Sequence, residues 1–193
     1  MEKSDVYQER YLRHQERKRA LIERGEIVVG GLPTKYRGKE FWTILQGRRS
    51  IRKFNGKGVN EWQLRNITLA AEAAPSSCNR KAVSIKFVCN PAIEDLLVGA
   101  RGWGKSVDVW CLLFADMSAY KSPAEKDFMP YLDAGHTAQN IQLACECMGL
   151  GACFVNPNCH DAEQFNALFN PQGLLFTGAV AIGNYEFKPR RPI

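Results

Sequence analysis

Charged and apolar positions alternate irregularly over the first forty residues, then settle into a tighter pattern. From Val6 to Arg24 the apolar positions Tyr7, Tyr11, Leu12, Leu21 and Ile22 are sparse and surrounded by charge. That pattern predicts a helix that docks on a partner subunit or stays largely solvated. Gly30, Gly31 and Pro33 break it. From Glu40, Phe41, Ile44 and Leu45 predict a short helix, followed by the basic turn from Gly47 to Phe54. Asn60 suits an N-cap for a helix carrying Trp62, Leu64, Ile67, Ala70 and Ala71 on one side, and Pro75 ends it. Ser76 to Arg80 reads as a short helical or turn segment. Ser84 to Cys89 reads as a strand and Val107 to Ala115 as a buried one.

The strongest helix runs from Leu132 to Leu150, closed by Gly149 and Gly151. Cys153 to Val155 is a strand, Asp161 caps a helix through Phe169, and Leu174 to Ile182 is a last buried strand. Helices first, then strands separated by helices, favour an α+β domain with a mixed sheet flanked by helices. The expected organisation is an N-terminal helical arm over 1–39 and a domain over 40–193. No repeat or low-complexity segment interrupts it.

Length changes this picture little: 193 residues suit one sizeable domain. Hydrophobic residues at 45% and charged ones at 24% are ordinary for a soluble globular protein. No apolar run approaches the ~20 residues a membrane span needs. The charged, mixed-sign start is neither a signal nor a transit peptide, so the expected location is the cytoplasm. A net charge of +6 permits nucleic-acid binding, but no zinc-finger spacing, aromatic RNA-recognition motif or long basic helix accompanies it. No nucleic-acid partner is therefore expected. Seven cysteines, an odd number, do not suggest a disulfide framework. Cys145, Cys147, Cys153, Cys159 and His160 lack paired zinc-knuckle spacing, so no metal site is expected and the cysteines read as buried small hydrophobes.

Three polar segments carry candidate chemistry. Arg48-Arg49-Ser50-Ile51-Arg52 places three guanidiniums and a hydroxyl within one short stretch; if extended, Arg48, Ser50 and Arg52 point the same way. Forked guanidinium donors match a terminal phosphate dianion, although a solvated basic loop explains the segment equally simply. Pro75-Ser76-Ser77-Cys78-Asn79-Arg80 offers two hydroxyls and an amide, suited to the alternating edge of a pyrimidinedione or to ordinary turn chemistry. Lys188-Pro189-Arg190-Arg191-Pro192 follows the last strand, stiffened by prolines for clamping an anion, or simply a basic tail. No Gly-x-Gly-x-x-Gly follows a strand, so a Rossmann nicotinamide site is not expected. His14, His136 and His160 sit in no hydrolase or metalloprotease pattern. His136 reads as a satisfied or interface histidine, and Asp133 as a capping or interface residue rather than a general acid.

Taken together these segments resemble the nitroreductase family. The matches are Arg48 to Phe54, Ala74 to Arg80, Asp133 to Asn140, Gly149 to Cys153, and Ala181 to Tyr185 with Lys188 to Pro192, in family order across residues 40 to 193. The resemblance implies an intertwined homodimer with FMN at the subunit interface and NADH or NADPH as co-substrate. It implies that Arg48 and Arg190 grip the FMN phosphate with help from Lys188, and that Arg49 and Ser50 line the phosphate and ribityl chain. Arg52 would approach the N1/C2 edge. Pro75, Ser76 and Ser77 would reach the flavin from the opposite subunit, with Asn79 close by, and the backbone near Val155 and Asn156 would face N5. No catalytic side chain is implied, because the chemistry resides at flavin N5.

The sequence departs from the family at Asn79-Arg80-Lys81-Ala82-Val83, where many members continue Asn-x-Gln-Pro-Trp, and at Pro157, which has no N–H to offer flavin C4=O. The short stretch between Asp116 and Leu132 implies a small flap over the site. The expected reaction is hydride transfer from NAD(P)H to a nitroaromatic, a quinone or another small metabolite. The alternatives are an FMN enzyme of another class in the family (a dehalogenase, a flavin-fragmenting enzyme or a biosynthetic dehydrogenase) and a flavin-free basic binding protein.

Overall fold

The computed structural model describes residues 39–99, 103–104 and 106–189. The predicted arm helix and Arg190 lie outside these residues. Helix α1 (Lys39–Gly47) belongs to the first of two compact units, 1–46; the remaining elements belong to the second, 47–193. In order they are α2 (Glu61–Glu72), a 3-10 turn (Ser77–Asn79), β1 (Val83–Val88), α3 (Ala92–Leu97), β2 (Val109–Ala115), a 3-10 turn (Met117–Ala119), α4 (Pro123–Cys147), β3 (Gly151–Val155), α5 (Ala162–Phe169) and β4 (Leu175–Gly183).

The strands lie in the order β1-β2-β4-β3, and every pairing among them is antiparallel. The expected mixed character is thus reduced to one parallel bridge, Ser50 to Ala152, which sets the basic turn along the outer edge of β3. Strands β2 and β4 run through the middle, and both of their faces are covered. On one face Val109, Cys111 and Leu113 pack with Val180 and Ile182 against Ile67 and Ala71 of α2 and Ala134, Ala138, Ile141 and Cys145 of α4. On the other, Trp110, Leu112 and Phe114 pack against Ile93, Leu96 and Leu97 of α3 and Phe165 and Phe169 of α5. Alternation along a strand delivers successive side chains to opposite faces, so one apolar run feeds two cores.

Local signals set several boundaries. The Asn60 side chain accepts from the Gln63 N–H at 2.9 Å while Gln63 Oε1 accepts from the Asn60 N–H at 3.0 Å, a reciprocal cap that starts α2. Trp62, expected on the packed side of that helix, is 63% exposed, because burial is confined to Ile67 and Ala71. Asp161 caps α5 through the Gln164 N–H. Helix α4 begins at Pro123, well ahead of the expected Leu132: Ser122 and Glu125 form a second reciprocal cap, Pro123 sits where its missing N–H costs nothing, and Pro130 is carried inside the helix. The stretch expected to form a small flap is a 3-10 turn plus these opening turns of α4. Helix α3, which the apolar pattern did not predict, follows Pro91 and carries Glu94 and Asp95 in its first turn, where the helix dipole favours them.

Among the described residues no helix is long and apolar enough to cross a membrane. Cys111, Cys145 and Cys153 are buried as expected, whereas Cys147 is exposed and Cys159 half-buried. Burial pushes the Cys145 thiol up to about 12, so it behaves as a small core hydrophobe.

Candidate functional site

The segment Arg48–Arg52 owes its path to β3. Beside the Ser50 bridge, the Ile51 N–H donates to Ala152 O at 3.0 Å, and the Ile51 side chain drops into the core. A Cβ on Gly151 would stand 2.8 Å from Ile51 Cβ, so the close approach requires glycine there. Gly151→Ala is expected to cost about 1–3 kcal/mol through this overlap, because the contact is with the base of a β-branched side chain that cannot swing away. Urea unfolding of the variant measures it.

Extended along β3, the segment turns Arg48, Ser50 and Arg52 to one side, as alternation predicts. All three act on the Cys153 thiol: burial raises its pKa, while the Arg52 charge, a Ser50 hydrogen bond and the Arg48 charge pull the other way. Arg48 Nη1 donates to Gln142 Oε1 on α4 at 3.3 Å. Arg49 curls back on its own loop, donating to Gly47 O at 3.0 Å and Arg48 O at 2.8 Å. Arg52 is exposed, its guanidinium carbon 5.9 Å from the centre of the Trp103 ring.

The C-terminal segment is steered to the same place. Asp108, just ahead of β2, accepts from the Asn184 N–H at 2.7 Å and the Gly58 N–H at 2.9 Å, and the Asn55 N–H donates to Asn184 O at 2.9 Å. The chain leaving β4 is thereby tied to the loop that follows the basic turn. Lys188 then pairs with Glu146 on α4. A Cβ on Gly47 would lie 3.1 Å from Glu146 Oε1 and 3.9 Å from Lys188 Nζ, so the ammonium reaches the start of the Arg48 segment. Arg48 and Lys188 therefore both reach α4 from two distant stretches of chain, while Ser50 and Arg52 continue along β3. Forked donors, a hydroxyl and an ammonium form a donor set that fits a phosphorylated cofactor such as FMN.

The second predicted cluster is elsewhere. The Ser77 N–H donates to Asp133 Oδ1 at 2.8 Å, and the buried Tyr120 hydroxyl donates to Asp133 Oδ2 at 3.0 Å. Burial and the adjoining Asp133 carboxylate push the Tyr120 pKa up. The Lys81 N–H donates to Ser76 Oγ at 3.0 Å; Pro75 and Asn79 are exposed, and Asn79 adopts φ 54°. Asp133 and Gln142 differ by nine positions on α4, which is about 13 Å of helix and about two and a half turns. Within one chain, the Pro75–Asn79 loop and the Arg48 cluster thus flank α4 on opposite sides and at different heights. Val155 ends β3 buried in the same core as Ile51, and Asn156 is exposed just beyond it.

Gln142, Glu146, Asp108 and Trp103 were not singled out by the sequence. Gln142 and Glu146 had a usable signal: two polar residues one turn apart, interrupting the apolar pattern of the strongest helix. Among the described residues, no cluster of three or more His, Cys, Asp or Glu side chains could hold a metal ion.

An antiparallel sheet between helical layers, with a basic segment running along its edge strand, defines an α+β class. A family model for the nitroreductases matches residues 45–106 and 105–184, and the chain belongs to the nitroreductase family. It is 31% identical over 169 residues to the NADPH-flavin oxidoreductase of Vibrio harveyi, covering 78% of this chain and 69% of that one. It is 28% identical over 166 residues to the oxygen-insensitive NADPH nitroreductase of Salmonella typhimurium, covering 77% and 69%. Among solved structures, a nitroreductase family protein from Streptococcus pneumoniae superposes with a TM-score of 0.71 at 17% identity, covering 79% of this chain and 94% of that one. An FMN-dependent nitroreductase from Clostridium difficile gives 0.64 at 25% identity, covering 79% and 91%.

Proposed function

We propose that this protein is an FMN-dependent NAD(P)H oxidoreductase of the cytoplasm that works as a homodimer, with residues 40–193 forming the catalytic domain behind an N-terminal arm. The observation that carries the reading is the segment Arg48, Ser50 and Arg52 laid along β3, with Lys188 reaching its start from the far end of the chain. When bound, FMN supplies hydride acceptance and donation at N5. Arg48 and Lys188, joined by Arg190, hold the phosphate dianion. Ser50 and Arg49 line the ribityl chain. Arg52 supplies a cation at the N1/C2 edge, where negative charge gathers on reduction. Val155 and Asn156 offer backbone groups toward N5. Electron acceptors are nitroaromatics, quinones or another small metabolite that can lie flat against the ring.

The dimer is supported by the face of α4 that the chain leaves uncovered. Phe128 and Leu132 are 51% and 50% exposed, and Gly135 and Gln139 continue the same stripe. Apolar residues at that spacing on an uncovered helix suit a second copy. The serine loop and the arginine cluster lie on either flank of the stripe. Two-fold packing across it brings one protomer's Pro75, Ser76, Ser77 and Asn79 toward the other's Arg48.

One observation favours the alternative of an FMN enzyme with another reaction. One residue that departs from the common family run has a structural duty: Lys81 Nζ donates to Glu72 O and Ala74 O at the end of α2, beside Arg80, which pairs with Glu125 at 3.2 Å. The Lys81 ammonium is thus engaged with the backbone at the end of α2 rather than turned toward a ligand.

The deciding experiment is FMN reconstitution followed by NADPH and NADH oxidation with a nitroaromatic and a quinone, alongside sedimentation. A yellow dimer that turns over is the expected result. A yellow dimer without turnover selects the alternative reaction class. A colourless protein that takes up no FMN would falsify the flavin reading altogether.

A further inference from the structure

Resting on the flavin reading above, we infer that Trp103 is a positioning residue that holds the Arg52 cation in place and thereby helps set the flavin's reduction potential. Of the three arginines in the basic turn, Arg48 is fixed by Gln142 and Arg49 by its own loop, whereas Arg52 has no hydrogen-bond or ion-pair partner among the described residues. Its guanidinium carbon instead lies 5.9 Å from the centre of the Trp103 ring, within the range of a cation–π contact.

Trp103 is in turn supported from behind. It packs against the core beneath α3, with its ring 6.2 Å from Trp110 at an interplanar angle of 44°. Trp110 is 2% exposed and rooted in the central strand β2. Arg52 therefore stands on a two-ring column anchored in the sheet, although it has only an exposed loop around it.

The choice of partner has a chemical consequence. A carboxylate would fix the guanidinium but also neutralise it and occupy its forked donors. An aromatic face restrains the group through its quadrupole, and leaves both the net charge and the N–H edge available. That is what a cation needs if it is to favour a ring that becomes more negative on reduction. Fixing the cation ahead of the reaction lowers the reorganisation needed when the charge develops. The effect falls on the reduced cofactor more than on the oxidised one.

The test is the dissociation constant of oxidised FMN and, anaerobically, of fully reduced FMN, for the dimer and for Trp103→Leu, Trp103→Phe, Arg52→Gln and the double variant Arg52→Gln/Trp103→Leu. Trp103→Leu is expected to weaken reduced FMN about fivefold more than oxidised FMN. At about 30 mV per tenfold change in a two-electron couple, the potential then falls by about 20 mV. Trp103→Phe keeps an aromatic face and should retain most of the difference, which also secures the comparison if the leucine variant folds poorly. In the Arg52→Gln background, Trp103→Leu should have no further selective effect.

Equal weakening of both redox forms by Trp103→Leu, or an undiminished selective effect without Arg52, overturns the inference. If Arg52→Gln shows the selectivity and Trp103→Leu does not, only the role of Trp103 falls. If Arg52→Gln itself shows none, the assignment of Arg52 to the flavin falls, and the inference with it.

Discussion

Arg48→Ala should weaken FMN binding by about 2–4 kcal/mol, roughly thirtyfold to just under a thousandfold, while riboflavin binding changes little. Arg48 is partly buried against Gln142, so its guanidinium is already oriented and partly stripped of water before any ligand arrives. A charge-assisted contact made from such a position avoids most of the ordering cost that an exposed arginine would meet. Removing it leaves the phosphate with the proposed Arg190 and with Lys188, whose ammonium is shared with Glu146 and so cannot be given over fully to an anion. Riboflavin lacks the phosphate and supplies the control. Titration of flavin fluorescence against the wild type and the variant measures both. An unchanged affinity for FMN would remove Arg48 from the site.

The second large effect is expected from Asp133→Ala, a loss of about 2–4 kcal/mol of folding stability in urea denaturation. The carboxylate is 1% exposed and accepts hydrogen bonds from the Ser77 N–H and from the Tyr120 hydroxyl. Its removal strands two donors in a place water reaches poorly, and each unpaired buried donor costs about 1–3 kcal/mol. Part of this is returned because a buried charge no longer has to be desolvated. Asp133→Asn keeps the shape and one acceptor oxygen, so it should lose less than half as much. If the alanine and asparagine variants unfold at the same urea concentration as the wild type, the carboxylate is not what secures the serine loop.

Much of this arrangement could be read in the chain itself. The alternation at Arg48, Ser50 and Arg52 was enough to place three side chains on one side, because a strand period of two leaves no other arrangement for an extended segment. The caps at Asn60 and Asp161 were visible because a side-chain acceptor followed by an open helix N-terminus is a local event. Other features depend on partners far away in sequence. Asp108 looks like a loop acid until the chain after β4 returns to it, 76 positions later. Trp103 is an ordinary aromatic until Arg52 lies over it. The early start of α4 was hidden by Pro130, which interrupts the helical pattern, while the Ser122–Glu125 cap that outweighs it sits seven to ten residues upstream of the expected boundary. The sheet's antiparallel pairing was likewise beyond local periodicity, since strand direction is settled by how the crossovers pack.

The serine loop and the arginine cluster are both keyed to α4, and this makes the helix a gauge. One residue added or lost between Asp133 and Gln142 would rotate one anchor by about 100° around the axis relative to the other, and shift it by about 1.5 Å. Surface loops elsewhere in the protein can lengthen with little penalty. Over this interval any change of length would uncouple the two anchors, whichever residues fill it.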